Sequence, residues 1–251
     1  MARMNSRITP KLQGWLVNHP DGVHITKKAI AVRAMQILKP KIIKSRAGAF
    51  HPSQLYQCKR AQVYGYHNAP TTKVFNPQLQ NIFNDGHFRH LRWQIMLLEA
   101  GLIQEIEVPV DVPEIRLQGS MDGVNTIDKW MFELKGTSQY STIVKKGVMP
   151  AHIKQIHAYL LGSGLEEAIV VYECKSTQQW HESVVHKDPD VINEITTILE
   201  SLNDAIDNEY LPERLPDCEN KTGATYNSCA FAEICHGCNK PSDIVALLQN
   251  K

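Results

Sequence analysis

Residues 115–136, IRLQGSMDGVNTIDKWMFELKG, read as two strands, IRLQGSMDGV (115–124) and KWMFELKG (129–136), joined by the short polar turn NTID. In the second strand Glu133 and Lys135 stand two residues apart, and strand side chains alternate faces, so both point the same way. A neighbouring strand then brings Asp122 within reach. An E-x-K inside the apolar run WMFELKG is unusual, because Glu and Lys are rarely buried unless paired. An edge strand with its charges in water is the structural alternative. Two carboxylates and a lysine converging would suit a hard divalent cation such as Mg2+ or Mn2+, which takes oxygen ligands.

Upstream, IQEIEVPVDV (103–112) adds a strand to a consecutive antiparallel set. Residues 7–100 carry helical patterning. TKKAIAVRAMQILKP (26–40) is amphipathic and closed by a proline, HPSQLYQCKRAQVYGY (51–66) has Ser53 placed as an N-cap, and Pro77–Ala100 holds Leu79, Ile82, Phe83, Leu91, Ile95 and Leu98 at helical spacing before Gly101. Gly86 interrupts that run at about 1 kcal/mol relative to Ala, and close helix packing is one reason for it. Downstream, the pattern predicts a helix over 150–162, a buried strand EAIVVYECK (167–175), a partner strand QWHESVVH (179–186) and a helix over 188–209. Within the first of these helices, Gln155 and Tyr159 share a face at i and i+4, a spacing that also suits a surface pair.

The chain has 251 residues, 43% hydrophobic and 21% charged, which excludes a disordered polar tail and fits one domain with a metal-stapled appendage. No window approaches the roughly 18 apolar residues of a membrane span, and the opening MARMNSRITPKLQGWL has no leader pattern, so no membrane partner and an intracellular, cytoplasmic location are expected. Net charge is +1, yet residues 1–60 carry +11 and the remainder −10. Such a basic quarter suits a polyanion, or a set of solvated helix faces. Four of six cysteines, Cys218, Cys229, Cys235 and Cys238, crowd into 21 residues, a metal-site signal in an intracellular chain. Cys174 reads as a core residue.

Taken in order, G-x-x-x-H (Gly86, His90), G-S-M-D (Gly119–Asp122), E-L-K (Glu133–Lys135) and Q-x-x-x-Y (Gln155, Tyr159) resemble the motifs of the PD-(D/E)XK nuclease superfamily in its RecB-like exonuclease branch. Met121 stands where the family name has Pro. The resemblance covers residues 51–238 and implies an α/β fold with a restriction-endonuclease-like core, a central mixed sheet flanked by helices. It divides the chain into a basic helical part (1–76), the nuclease core (77–210) and a cysteine segment with tail (211–251). It further implies that His90, Asp122, Glu133 and the backbone carbonyl of Leu134 hold Mg2+ or Mn2+. Lys135 would orient or deprotonate the attacking water, while Gln155 and Tyr159 touch DNA or support the site.

The same branch includes CRISPR-associated RecB-type, AddB-like and phage nucleases with a 4Fe-4S cluster held by one Cys before the motifs and three after. Cys58 resembles the first ligand and Cys229 with Cys235 the last pair. Tyr226 occupies the usual position of the remaining Cys, which leaves Cys218 or Cys238; Cys218 keeps the family order. Zn2+ would suit four thiolates as well.

The implied activity is hydrolysis of phosphodiester bonds from DNA ends in recombination, repair or phage DNA metabolism, in host cytoplasm if phage-encoded. Lys59 and Arg60 are expected at DNA phosphates, and Tyr56, Tyr64 and Tyr66 either stack bases or pack. A non-catalytic DNA-binding adaptor with the same fold and an endonuclease on the same site are the alternatives. Recombination or replication proteins and a homo-oligomer are conceivable partners.

Overall fold

The computed structural model describes residues 6–18, 46–71 and 77–244. The expected helix over 26–40, and with it most of the basic quarter, lies outside the described residues. Helix α1 (Thr9–Asn18) precedes α2 (Lys59–Tyr66) and the long α3 (Pro77–Glu99). Three strands follow, β1 (Glu105–Val112), β2 (Leu117–Asn125) and β3 (Trp130–Thr137). Helices α4 (Tyr140–Lys146) and α5 (Pro150–Ser163) cross over to β4 (Glu167–Cys174), which pairs with β5 (Trp180–His186) before α6 (Pro189–Asp207) and two short helices, α7 (Ala224–Ser228) and α8 (Ala232–Gly237). Among the described residues no helix is long and apolar enough to cross a membrane.

The five strands form one mixed sheet in chain order. β1, β2 and β3 are antiparallel neighbours, β3 and β4 are parallel, and β5 returns antiparallel to β4. A parallel pair requires a crossover, and α4 with α5 supplies it. Both faces of β3 and β4 are covered, which explains their nearly continuous apolar sequences. Phe132, Leu134, Ile169 and Val171 pack with Trp93 and Leu97 of α3 and with Leu12 of α1. On the opposite face Met131, Val170 and Tyr172 pack with Ile156 and Leu160 of α5. A third cluster joins Val63 and Tyr64 of α2 to Ile195, Leu199 and Leu202 of α6 and to Cys238.

Several local expectations change. Ser53 caps no α-helix: Pro52–Gln54 is a 3-10 turn, and α2 begins only after Cys58, its N-cap. Residues 113–115 form a second 3-10 turn closed by Arg116 in the left-handed region, so β2 starts at Leu117 rather than 115. Pro113 starts that turn and ends the ladder to β1. Gly101 does end α3, with φ +67. Gly86 is not a close-packing glycine, since a Cβ placed there would meet nothing within 4 Å. At Gly119 the space is occupied, with Tyr159 Cε1 2.8 Å from an added Cβ.

Candidate active site

The ladder between β2 and β3 runs from Asn125–Trp130 only as far as Gly123–Phe132. Beyond it the strands are joined by a side chain: the Leu134 backbone N–H donates to Asp122 Oδ2 at 2.8 Å. This opening admits His90 from α3, whose Nδ1 lies 3.1 Å from Asp122 Oδ1. The neighbouring turn of α3 holds the same residue by its backbone, as Gln94 Nε2 donates to the Asp122 carbonyl and to Glu107 Oε1, each at 2.9 Å.

Glu133 and Lys135 share the sheet face covered by α5. Lys135 Nζ stands 2.7 Å from Glu133 Oε1 and donates to Gln155 Oε1 at 2.8 Å. Gln155 Nε2 in turn donates to Glu133 Oε1 at 3.0 Å. Gln155 and Tyr159 are therefore buried in the site rather than a surface pair, and the edge-strand alternative for Glu133 and Lys135 fails because Glu133 is 2% exposed. The second oxygen of that carboxylate, Oε2, is buried with no hydrogen-bond partner. Buried polar atoms are rarely left so, and a missing ion is one physical reason.

Charge and burial act together here. Burial, reinforced by Asp122 and opposed by Lys135, pushes the Glu133 carboxyl up to about 7. Burial alone would lower Lys135, but the Glu133 and Asp122 carboxylates outweigh it and hold the ammonium above its ordinary value. His90 is likewise raised, burial being outweighed by Asp122 and Glu133. Among the described residues, no three of His, Cys, Asp and Glu already surround one point as a metal cage. At this site His90 and Asp122 hold one another, and Glu133 is held by Lys135 and Gln155. The donor set of His90, Asp122 and Glu133 still fits a hard cation chemically, and Glu133 Oε2 is the atom left over for one.

Three neighbours went unnoticed in the sequence. Glu107 places a carboxylate beside Gln94 and Ser120 from a backbone with φ +51, a conformation that costs energy for a non-glycine residue. Tyr172 lies beside Lys135 in the parallel register, and its hydroxyl meets His152 Nδ1 at 2.6 Å. Glu107 had a detectable signal, a charge at an alternate position of an apolar strand. The others had none, because register across a crossover is not written locally.

The cysteine segment comes back onto α2. Cys58, Cys229 and Cys235 all bear on Cys218, whose thiol is raised first by burial and then by these three neighbours. Cys238 is buried in the third core cluster, with Asp243, Arg60 and Cys235 acting on it. Arg60 is 6% exposed, and its guanidinium donates to Tyr64 Oη, the Pro212 carbonyl and the Cys238 carbonyl. It ties the cysteine segment to α2 and is not presented to a DNA phosphate, as the sequence had suggested. Lys59 Nζ donates to Ser201 Oγ at 2.9 Å. Tyr64 is fully buried and packs against Phe231, while Tyr56 is exposed.

No family model matches the sequence, and no curated protein matches it. Among solved structures the chain is similar to LHK-Exo, an alkaline exonuclease from Laribacter hongkongensis, with a TM-score of 0.50 at 19% identity over 65% of this chain and 90% of that one. A second structure, LHK-Exo in complex with dAMP, gives a TM-score of 0.50 at 20% identity over the same shares. At such identity the likeness speaks for architecture, and the mixed five-stranded sheet flanked by helices is the α/β fold that this chain shares with that exonuclease.

Proposed function

We propose that the protein is a metal-dependent DNA exonuclease of the RecB-like PD-(D/E)XK type. The observation that carries this reading is the Glu133 carboxylate, buried beside Lys135 with Oε2 unpartnered, next to Asp122 and His90. The fold shared with an alkaline exonuclease, one structure of which holds dAMP, supports DNA as the substrate.

His90, Asp122, Glu133 and the Leu134 carbonyl would hold Mg2+ or Mn2+. When bound, the ion supplies Lewis acidity toward a phosphate oxygen and lowers the pKa of a water. The chain's own groups do the rest. Lys135, kept protonated by Glu133, offsets charge that develops on the phosphate, while Gln155 fixes both head groups by accepting from Lys135 and donating to Glu133. Tyr159, kept protonated by burial, closes the floor of the site against Gly119.

Cys58, Cys218, Cys229 and Cys235 are proposed as ligands of a 4Fe-4S cluster, with Zn2+ as the other ion that four thiolates suit. Cys58, Cys229 and Cys235 all act electrostatically on Cys218, whereas of the cysteines only Cys235 acts on Cys238, and this supports that set over one containing Cys238. Cys218→Ser is expected to abolish bound iron or zinc in anaerobically purified protein and Cys238→Ser to retain it; metal retained by Cys218→Ser and lost from Cys238→Ser would put Cys238 in its place.

The test of function is digestion of end-labelled linear DNA beside a closed single-stranded circle, with Mn2+ or Mg2+ added after chelator. Metal-dependent loss of the linear DNA alone is expected. Cutting of the circle would make the enzyme an endonuclease, and DNA binding without cleavage would make it an adaptor.

A further inference from the structure

Beside Lys135 stands a pair of residues to which the proposed mechanism gives no part. Tyr172 of β4 is in parallel register with Lys135, and His152 precedes Gln155 by three residues on α5, hence on the same helix face. The Tyr172 hydroxyl accepts from the Met149 backbone N–H at 3.2 Å and meets His152 Nδ1 at 2.6 Å.

This geometry favours one tautomer. Burial raises Tyr172, so its hydroxyl keeps its proton, and with the Met149 N–H already donating to the oxygen the hydroxyl is free to donate to His152 Nδ1. Burial and the Lys135 cation together push His152 down to about 4, so the ring is neutral at ordinary pH. A neutral imidazole that accepts at Nδ1 carries its hydrogen on Nε2. Among the described residues, Lys135 acts on the ring by its charge and Tyr172 by direct contact. The result is an uncharged N–H donor, half-buried at the edge of the site and pre-oriented by a tyrosine.

We propose that His152 is a phosphate-contacting residue of this site, its Nε2–H donating to a non-bridging oxygen of the DNA phosphate held beside Lys135. An anionic phosphate is the group that a cation and a neutral N–H side by side recognise, and an uncharged donor adds a directed bond without raising the already cationic field. The assignment rests on the nuclease reading above.

Release of nucleotides from end-labelled linear DNA by the full chain tests it, with Mn2+ present. His152→Ala is expected to lower kcat/KM by about 10–100-fold. His152→Gln, whose amide Nε2 offers a donor in the same direction, is expected to stay within about threefold of the parent. Tyr172→Phe, which frees the tautomer, falls between them, and adding it to His152→Gln costs nothing further. Activity of His152→Ala equal to the parent overturns the proposal, as does His152→Gln falling as far as His152→Ala, which would mark a packing role. Should the parent degrade no DNA, the nuclease reading fails separately. Fluorescence anisotropy with the same DNA in chelator then decides, with weaker binding by His152→Ala and not by His152→Gln expected, and equal binding by all three overturning the proposal.

Discussion

Two carboxylates are buried on opposite faces of adjacent strands, and their surroundings differ in a way that separates a fully bonded clamp from a group with one oxygen unpartnered. Glu173, fully buried on the α3 face of β4, accepts from Arg89 Nη1 at 2.5 Å, from Arg92 Nη2 at 2.6 Å and from the Trp93 indole N–H. Both of its oxygens are engaged, and its three partners sit within one turn of α3. Glu133, on the α5 face of β3, has one oxygen shared by Lys135 and Gln155 and the other unpartnered. A buried carboxylate satisfied on both oxygens fixes the helix against the sheet; one left half satisfied holds capacity for a ligand. The two are linked, since the helix clamped by Glu173 is the one that carries His90 to Asp122.

The largest break in this comparison comes from Glu133→Gln, which keeps the shape and an acceptor for Lys135. Nuclease activity is expected to fall by at least about a thousandfold, roughly 4 kcal/mol of barrier, while the urea midpoint of the metal-free protein moves little. Activity close to the parent would show that Glu133 is a structural residue like Glu173. The matching change, Glu173→Gln, is expected to do the reverse. It leaves Arg89 buried against a neutral amide and destabilises the fold by about 3 kcal/mol, read from urea unfolding, with residual activity tracking the folded fraction. Unchanged stability would mean that α3 is held by its apolar face alone.

A third carboxylate sharpens the contrast at smaller cost. Glu182 of β5 accepts from Ser6 Oγ and from the backbone N–H groups of Arg7, Ile8 and Thr9, so a distant strand caps the start of α1. Burial works to raise it, but the hydrogen bonds from Thr9, Arg7 and Ser6 outweigh that and hold it below its ordinary value of 4.5. A depressed carboxyl binds fewer protons folded than unfolded, so its contribution is present above 4.5 and is lost as pH falls through the lowered value. Glu182→Gln is expected to reduce stability by about 1 kcal/mol at pH 7 and to flatten the acid limb in urea titrations as pH falls below the ordinary value of 4.5. An unchanged acid limb would assign it to other carboxyls.

Much of the site was visible along the chain because its signals are short-range. Alternation in WMFELKG put Glu133 and Lys135 on one side, and the i, i+4 spacing put Gln155 and Tyr159 together; all four are found around one point. Arg60 and Glu173 were misread or overlooked for a common reason. Arg60 looks like a surface charge and Glu173 is one charge in a strand read as buried, but the partners of each come from far along the chain, the cysteine segment for Arg60 and α3 for Glu173. His152 and Tyr172 escaped because the register across the crossover is not written locally.

The sequence by itself determined the order of the five strands and of the long helices α3, α5 and α6, and the chemistry offered at Asp122, Glu133 and Lys135, because periodicity and side-chain type act over a few residues. Only the tertiary structure decided which buried carboxylate is satisfied and which is left open. That depends on the parallel pairing of β3 with β4 and on the helices laid over each face, contacts made between segments far apart in the chain, for which no local pattern exists.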